Sequence, residues 1–306
     1  MVAGAGETVA VIGLGSMGLG IAQSLLRAGL AVTGCDIDAQ AMARLVAHGG
    51  QTAGTAAEAA QGADAAVVVV VTAAQTETAL FGPGGAATSM RPGGVILASA
   101  TMAPADARRL AQRAEEAGLL YLDAPISGGS VRAAAGGLTV MASGSAASFA
   151  AAEGVLAAMA QTVYRLGDEP GIGASFKIIN QLLAGVHIAA ACEAITLAKR
   201  LDLDIAKVYD VITASAGNSW MFENRIPHVL AGDYTPHSAI DIFAKDLGIV
   251  GDIGRERKFP LPISASALQM FLMASAAGMG RDDDASIARL IATVTGLELP
   301  GMGRRA

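Results

Sequence analysis

The sequence predicts an α/β unit followed by an all-helical one. Three observations carry this. Short apolar runs alternate with helix-spaced segments from Thr8 to Leu166, the mark of βαβ units and a parallel sheet. The run Ala66–Thr72 (AVVVVVT) is continuous and β-branched, as a strand buried on both faces requires. From Ile172 onward only long helical patterns follow.

Thr8–Gly13 is the first expected strand, and Met17–Ala28 has helix-like apolar spacing. Ala31–Ile37, Ala66–Thr72, Val95–Ala98 and Leu119–Leu122 continue the series, with Leu138–Ala142 and Thr162–Leu166 as the last strands. Small residues over Ser143–Ala160 predict a helix between those two. Asp168, Glu169 and Pro170 make an exposed turn, so the expected units are residues 1–167 and 168–306. The helical half breaks at Asp202–Asp204, Gly217–Ser219, Gly232–Pro236 and Phe259–Pro262.

Length and composition set limits on function. A chain of 306 residues is long enough for two domains. It carries 21 basic and 27 acidic side chains, a net charge of −6, and the acidic balance argues against a nucleic-acid partner. A hydrophobic share of 53% and a mean hydropathy of +0.48 raise the question of a membrane. Alanine, 66 residues, accounts for most of both values without bulky apolar surface. The uncharged run Phe259–Gly280 opens with two prolines; its helical part, about 15 residues, is short of a span and predicts a buried core helix. Met1–Thr8 lacks the basic and apolar regions of a signal peptide. Two cysteines, Cys35 and Cys192, make no disulfide framework, and four scattered histidines predict no metal site. A soluble cytoplasmic protein is expected.

Gly13-Leu14-Gly15-Ser16-Met17-Gly18 is GxGxxG between the first strand and the first helix. Gly13 permits the tight turn, Gly15 lets backbone N–H groups reach a pyrophosphate, and Gly18 lets the helix pack close to the strand. Asp36 ends the second strand, where a carboxylate accepts from ribose hydroxyls and repels a 2′-phosphate. The motif alone is weak in a glycine-rich chain. Its placement and Asp36 together predict a Rossmann domain that binds NAD rather than NADP; otherwise the segment is a tight turn beside a surface aspartate.

All five lysines (Lys177, Lys199, Lys207, Lys245 and Lys258) follow residue 167. Lys177 precedes fifteen uncharged residues, and Lys245 lies on the apolar segment Ile240–Val250. Desolvation lowers an amine's pKa, which suits proton exchange with a hydroxyl near neutral pH. Lys177 and Gln181 share a helix face at i and i+4. The alternatives are a lysine snorkelling from a helix start at 177 and an i−4 pair between Lys245 and Asp241. Ser127-Gly128-Gly129 follows the strand ending at Leu122 and offers a hydroxyl and free N–H groups to a carboxylate, or else forms an ordinary turn.

These motifs, in this order and spacing, resemble the β-hydroxyacid dehydrogenase (3-hydroxyisobutyrate dehydrogenase-like) family from Val9 to about Leu290. The resemblance rests on GLGSMGLGIA, DAPISGG, GIGASFK and AKDLGIV. Three further stretches, Lys177–Ala194, Ala216–Arg225 and Gly232–Gly248, are most similar to members acting on a four-carbon sugar acid. The resemblance implies an NAD-dependent oxidoreductase acting on a short polyhydroxy acid. Lys177 would be the acid/base, and Ser127, Gly128, Gly129 and Gln181 would hold substrate. Val71, Thr72, Thr101 and Lys245 would join Gly13–Gly18 and Asp36 at the cofactor, and Trp220 and Phe222 would close the pocket or pack as core. It also implies a homo-oligomer, dimer or tetramer. Tartronate semialdehyde reductase and 3-hydroxyisobutyrate dehydrogenase activities are the alternatives, and a non-catalytic nucleotide-binding interaction protein is the alternative of another class. One departure concerns substrate. The family usually has Asn four residues after the lysine, whereas this chain has Gln181; the sugar-acid members read His-Gln where this chain reads Asn180-Gln181. Imine reductases of the family replace the lysine, which this chain keeps.

Overall fold

The structure is a computed structural model that describes residues 6–302. It has two compact units, one ending at Lys177 and one beginning at Ile178. In the first, β1 (Thr8–Ile12), α1 (Ser16–Arg27), β2 (Ala31–Cys35), α2 (Ala39–Ala47), β3 (Gln51–Thr52), α3 (Ala56–Ala59) and β4 (Ala65–Val68) come first. They are followed by α4 (Ala73–Phe81), β5 (Val95–Ala98), α5 (Pro104–Glu116) and β6 (Leu120–Asp123). These six strands form one parallel sheet in the order β3-β2-β1-β4-β5-β6.

Alternate residues of the central strands supply two separate cores. Val9 and Val11 of β1 join Val67 and Leu97 on one face, while Ala10 and Ile12 join Val68 and Ile96 on the other. Both faces are therefore covered, which is why β4 and β5 are buried along their whole length and read as unbroken apolar runs. The register pairs Ile12 with Cys35 and with Val68, Val68 with Ala98, and Ala98 with Asp123. Gly13, Asp36, Val69, Ser99 and Ala124 thus leave the sheet side by side.

The expected strand Ala66–Thr72 stops at Val68. Thr72 instead caps α4: its hydroxyl accepts from the Gln75 N–H, and the Gln75 side chain accepts from the N–H groups of Val71 and Thr72. A capping box is incompatible with continued strand pairing there. The expected last strands also separate from the main sheet. β7 (Ile126–Ser127), β8 (Leu138–Ala142) and β9 (Ala160–Arg165) form a second sheet, in which β7 runs antiparallel to β8. Between them lie α6 (Gly129–Ala135), α7 (Ala146–Ala151) and α8 (Glu153–Met159). The helix expected over Ser143–Ala160 is therefore two short ones.

Helix α9 (Ile172–Arg200) starts in the first unit and continues into the second. The second unit adds α10 (Ile205–Thr213), α11 (Trp220–Ala231), α12 (Ile240–Glu256), α13 (Pro262–Ala274) and α14 (Ile287–Thr295). Its core joins Ile188, Cys192 and Ile195 of α9 to Phe222 and Ile226 of α11, Phe243 and Leu247 of α12, and Phe271 of α13. The Phe243 and Phe271 rings stack with centroids 5.3 Å apart. Helix α9 and the segment Pro262–Met279 are long and apolar enough to cross a membrane, but each presents a stripe of residues to this core. Burial of α13 is narrower than its sequence predicts: Ser264, Ala267, Phe271 and Ala274 are inside, while Ile263, Leu272 and Met273 are exposed. Arg225 and Asp284 form a buried ion pair with Nε and Oδ1 2.6 Å apart.

Phe271 is fully buried. Phe271→Ala is expected to lower stability by about 3–5 kcal/mol. Urea denaturation measures this, and a loss below about 1 kcal/mol would mean the site collapses around the missing ring.

Candidate active site

The Gly13–Gly18 turn is shaped by what its glycines exclude. Gly13 has φ +91, and a Cβ there would lie 2.6 Å from the Val69 carbonyl oxygen. A Cβ on Gly18 would lie 1.8 Å from the Gly13 carbonyl oxygen, so α1 can approach β1 only with glycine at that position. Gly15 behaves differently. It is the N-cap of α1, and nothing lies within 4 Å of where its Cβ would be. The helix N-terminus with its free N–H groups therefore faces open space, which fits a pyrophosphate.

Asp36 follows β2, and its carboxylate accepts from the Leu14 N–H on one oxygen and from the Asp38 N–H on the other, the latter at 2.8 Å. Each oxygen keeps a lone pair for a ribose hydroxyl. The aspartate thus also ties β2 to the glycine turn, a second task that its position in the sequence does not reveal. Val71 is exposed and Thr101 is half-buried, after β4 and β5 respectively. Thr72 spends its hydroxyl oxygen on the α4 cap.

The Ser127-Gly128-Gly129 segment, expected as a loop, begins as β7. Ser127 pairs with Thr139 of β8, and Gly128 and Gly129 take φ +137 and +78 to turn into α6. Only glycine adopts this pair of conformations readily. A Cβ on Gly20 of α1 would sit 2.8 Å from the Ala134 N–H of α6. The helices behind the pyrophosphate turn and behind the Ser-Gly-Gly turn therefore pack backbone to backbone.

Lys177 lies on α9, is buried, and is the last residue of the first unit. It shares that unit with the glycine turn, Asp36, Val71, Thr72, Thr101 and Ser127–Gly129. Gln181 and Lys245 belong to the second unit, where one carboxylate joins them. Buried Asp246 of α12 accepts from the Gln181 amide and pairs with the Lys245 amine at 2.8 Å. The Asn180 amide donates to the Gln181 oxygen at 2.9 Å. Lys245 thus pairs with its neighbour Asp246, and the Asp241 carboxylate accepts from the Ser275 hydroxyl at 2.6 Å. Phe222 is core and Trp220 half exposed. Asp246 has one signal in the sequence, an acid beside a lysine on an otherwise apolar helix.

Asp123 is a second buried carboxylate beside a segment of predicted site residues. It is buried at the end of β6, and that burial pushes its carboxyl up to about 6 although N–H groups of Ala174 and Gly171, the Ser143 hydroxyl and the Arg108 charge oppose the shift.

Residues 8–167 match the NAD binding domain of 6-phosphogluconate dehydrogenase, and residues 171–291 match the NAD-binding domain of NADP-dependent 3-hydroxyisobutyrate dehydrogenase. The chain belongs to the 3-hydroxyisobutyrate dehydrogenase-like family. It is 55% identical to an L-threonate dehydrogenase of Cupriavidus necator over 96% of this chain and 98% of that one. An Escherichia coli L-threonate dehydrogenase is 50% identical, with 96% of each chain covered. A crystal structure of a 3-hydroxyisobutyrate dehydrogenase from Salmonella typhimurium superposes with a TM-score of 0.89 at 51% identity, covering 93% of this chain and 99% of that one. This member of the family is an NAD-binding hydroxyacid dehydrogenase, an oxidoreductase of CH–OH groups.

Two predictions follow from the site's carboxylates. Asp36→Arg is expected to shift the NAD-to-NADP ratio of kcat/KM toward NADP by about tenfold or more, roughly 1.4 kcal/mol. Steady-state kinetics with both cofactors measures this, and an unmoved ratio places Asp36 away from the ribose. Asp123 holds its proton up to about pH 6 in the folded chain, against an ordinary value of 3.8. Between those values the folded state binds a proton that the unfolded state has lost, so this group's contribution falls as pH rises from about 4 to about 6. Asp123→Asn should remove that slope, up to about 3 kcal/mol. Urea midpoints of both proteins across this range test it, and equal slopes would assign the titration elsewhere.

Proposed function

We propose that this dehydrogenase oxidises L-threonate to its 2-oxo acid, with Lys177 as the base. The observation that carries the substrate is the 55% identity over nearly the whole length to an L-threonate dehydrogenase. NAD held by Gly13–Gly18 and Asp36 would supply a positively charged nicotinamide, the hydride acceptor for the C2–H bond. The chain's own groups do the rest. The Ser127 hydroxyl and the N–H groups at Gly128 and Gly129 hold the substrate carboxylate through charge-assisted hydrogen bonds. The Lys177 amine, deprotonated, takes the proton of the C2 hydroxyl as the carbonyl forms. Gln181 offers its amide to a neighbouring hydroxyl, which favours a polyhydroxy acid over an alkyl-substituted one. Leu14, Ser16 and Met17 border the pyrophosphate with the three turn glycines, and Val71, Thr72, Thr101 and Lys245 line the cofactor.

Two further readings complete the proposal. Phe176, Ile179 and Leu183 are exposed along one stripe of α9, which favours a homo-oligomer that covers them. The NAD pool the reaction draws on is intracellular, which favours a cytoplasmic location.

Lys177→Ala is expected to lower kcat by about 10²–10⁴ while NAD still binds. NADH absorbance with L-threonate, tartronate semialdehyde and 3-hydroxyisobutyrate completes the test. L-threonate inactive while either of the others turns over rejects the substrate, and unchanged turnover by the variant rejects the base.

A further inference from the structure

Helix α9 begins with its backbone donors answered by two side chains from the first unit's two sheets. Asp123 ends β6, and its Oδ2 accepts from the Gly171 and Ala174 N–H groups, both at 2.8 Å. Ser143 directly follows β8, and its Oγ accepts from the Gly173 N–H at 2.9 Å while donating to Asp123 Oδ2 at 3.3 Å. The two residues also exchange backbone hydrogen bonds at 3.0 and 2.9 Å. Both are buried, so water does not replace either acceptor. The contact leaves no slack: a Cβ on Gly173 would lie 2.2 Å from the Met141 carbonyl oxygen and 3.1 Å from that of Asp123. An ordinary helix cap is satisfied from the residues just before it. This one is satisfied from residues at strand ends 48 and 30 positions earlier, through the bonds Gly171–Asp123 and Gly173–Ser143.

Lys177 stands three residues beyond Ala174, one turn up the same helix. Ser127 stands four residues beyond Asp123 on the same strand exit. One carboxylate is therefore the root of both the segment that carries the amine and the segment that carries the carboxylate cradle. We propose that Asp123, seconded by Ser143, is a positioning residue for the reaction: it sets the separation between the Lys177 amine and a substrate anchored on Ser127–Gly129. This rests on the reading of Lys177 as the base. Asp123 does not touch substrate. It acts by fixing the start of α9, and a shift of about 1 Å at a reacting group costs on the order of 10²-fold in rate.

The test is a double-mutant cycle in the full-length enzyme with L-threonate and NAD. Asp123→Ala should lower kcat about 10- to 100-fold with KM for NAD changed less than about twofold. Asp123→Asn keeps an acceptor oxygen and should return kcat to within about threefold of the parent. In a Lys177→Ala background Asp123→Ala should have no further effect, because it acts only through the missing amine. The inference is overturned if the two losses multiply, or if NAD binding falls together with kcat. If Asp123→Ala does not fold, Ser143→Ala, which frees only the Gly173 donor, enters the same cycle with the same expectation of non-additivity. Full turnover by Lys177→Ala alone rejects the functional reading and this inference with it, whereas its loss combined with multiplying effects rejects only the inference.

Discussion

A parallel sheet delivers the exits of all its strands to one edge, and the register of β1, β2, β4, β5 and β6 makes those exits neighbours. The candidate site residues that follow strands in the first unit are brought together by that constraint. The glycine turn, Asp36, Val71 and Thr72, Thr101, and the strand leading to Ser127 are far apart in the chain and adjacent along the edge. The strand order reverses between β1 and β4, so the connections after them diverge to opposite faces and leave a crevice at which ligands bind in such sheets. The cost is a set of backbone approaches so close that only glycine fits, at positions 13 and 18.

The second constraint is electrostatic. Three buried or half-buried carboxylates serve as internal acceptors: Asp36 for the glycine turn, Asp123 for the start of α9, and Asp246 for Gln181 and Lys245. An ionised carboxylate offers about four acceptor sites and no donor, so one side chain can hold two partners at a fixed separation. Neutral residues of similar size do this less strictly. Each of the three thereby links groups from different elements.

What the sequence made legible and what it did not follow the same physics. Strand and helix alternation, the glycine turn and Asp36 are local patterns whose spacing carries their meaning. Breaks such as Asp202–Asp204 and Gly232–Pro236 are turn chemistry, also local, and lie between helices as expected. By contrast, β3 and β7 are two-residue strands with no pattern to detect, and the early end of β4 depends on a cap made by Thr72 with Gln75. The split of the last strands into a second sheet depends on an antiparallel partner only two residues long. The contacts of Asp123 and Asp246 have no local signature because their partners lie 48 and 65 residues away. No spacing rule connects such distances.

The departure at position 180 shows how such partners also decide what a local motif means. Asp246 can only accept, so the Gln181 amide must turn its N–H group toward it. That leaves the Gln181 oxygen facing the other way, where the Asn180 amide donates to it. The requirement at 180 is therefore a donor within reach of one oxygen, not a particular side chain. The Asn180 amide of this chain meets it. The amide at 181 ends with a defined polarity.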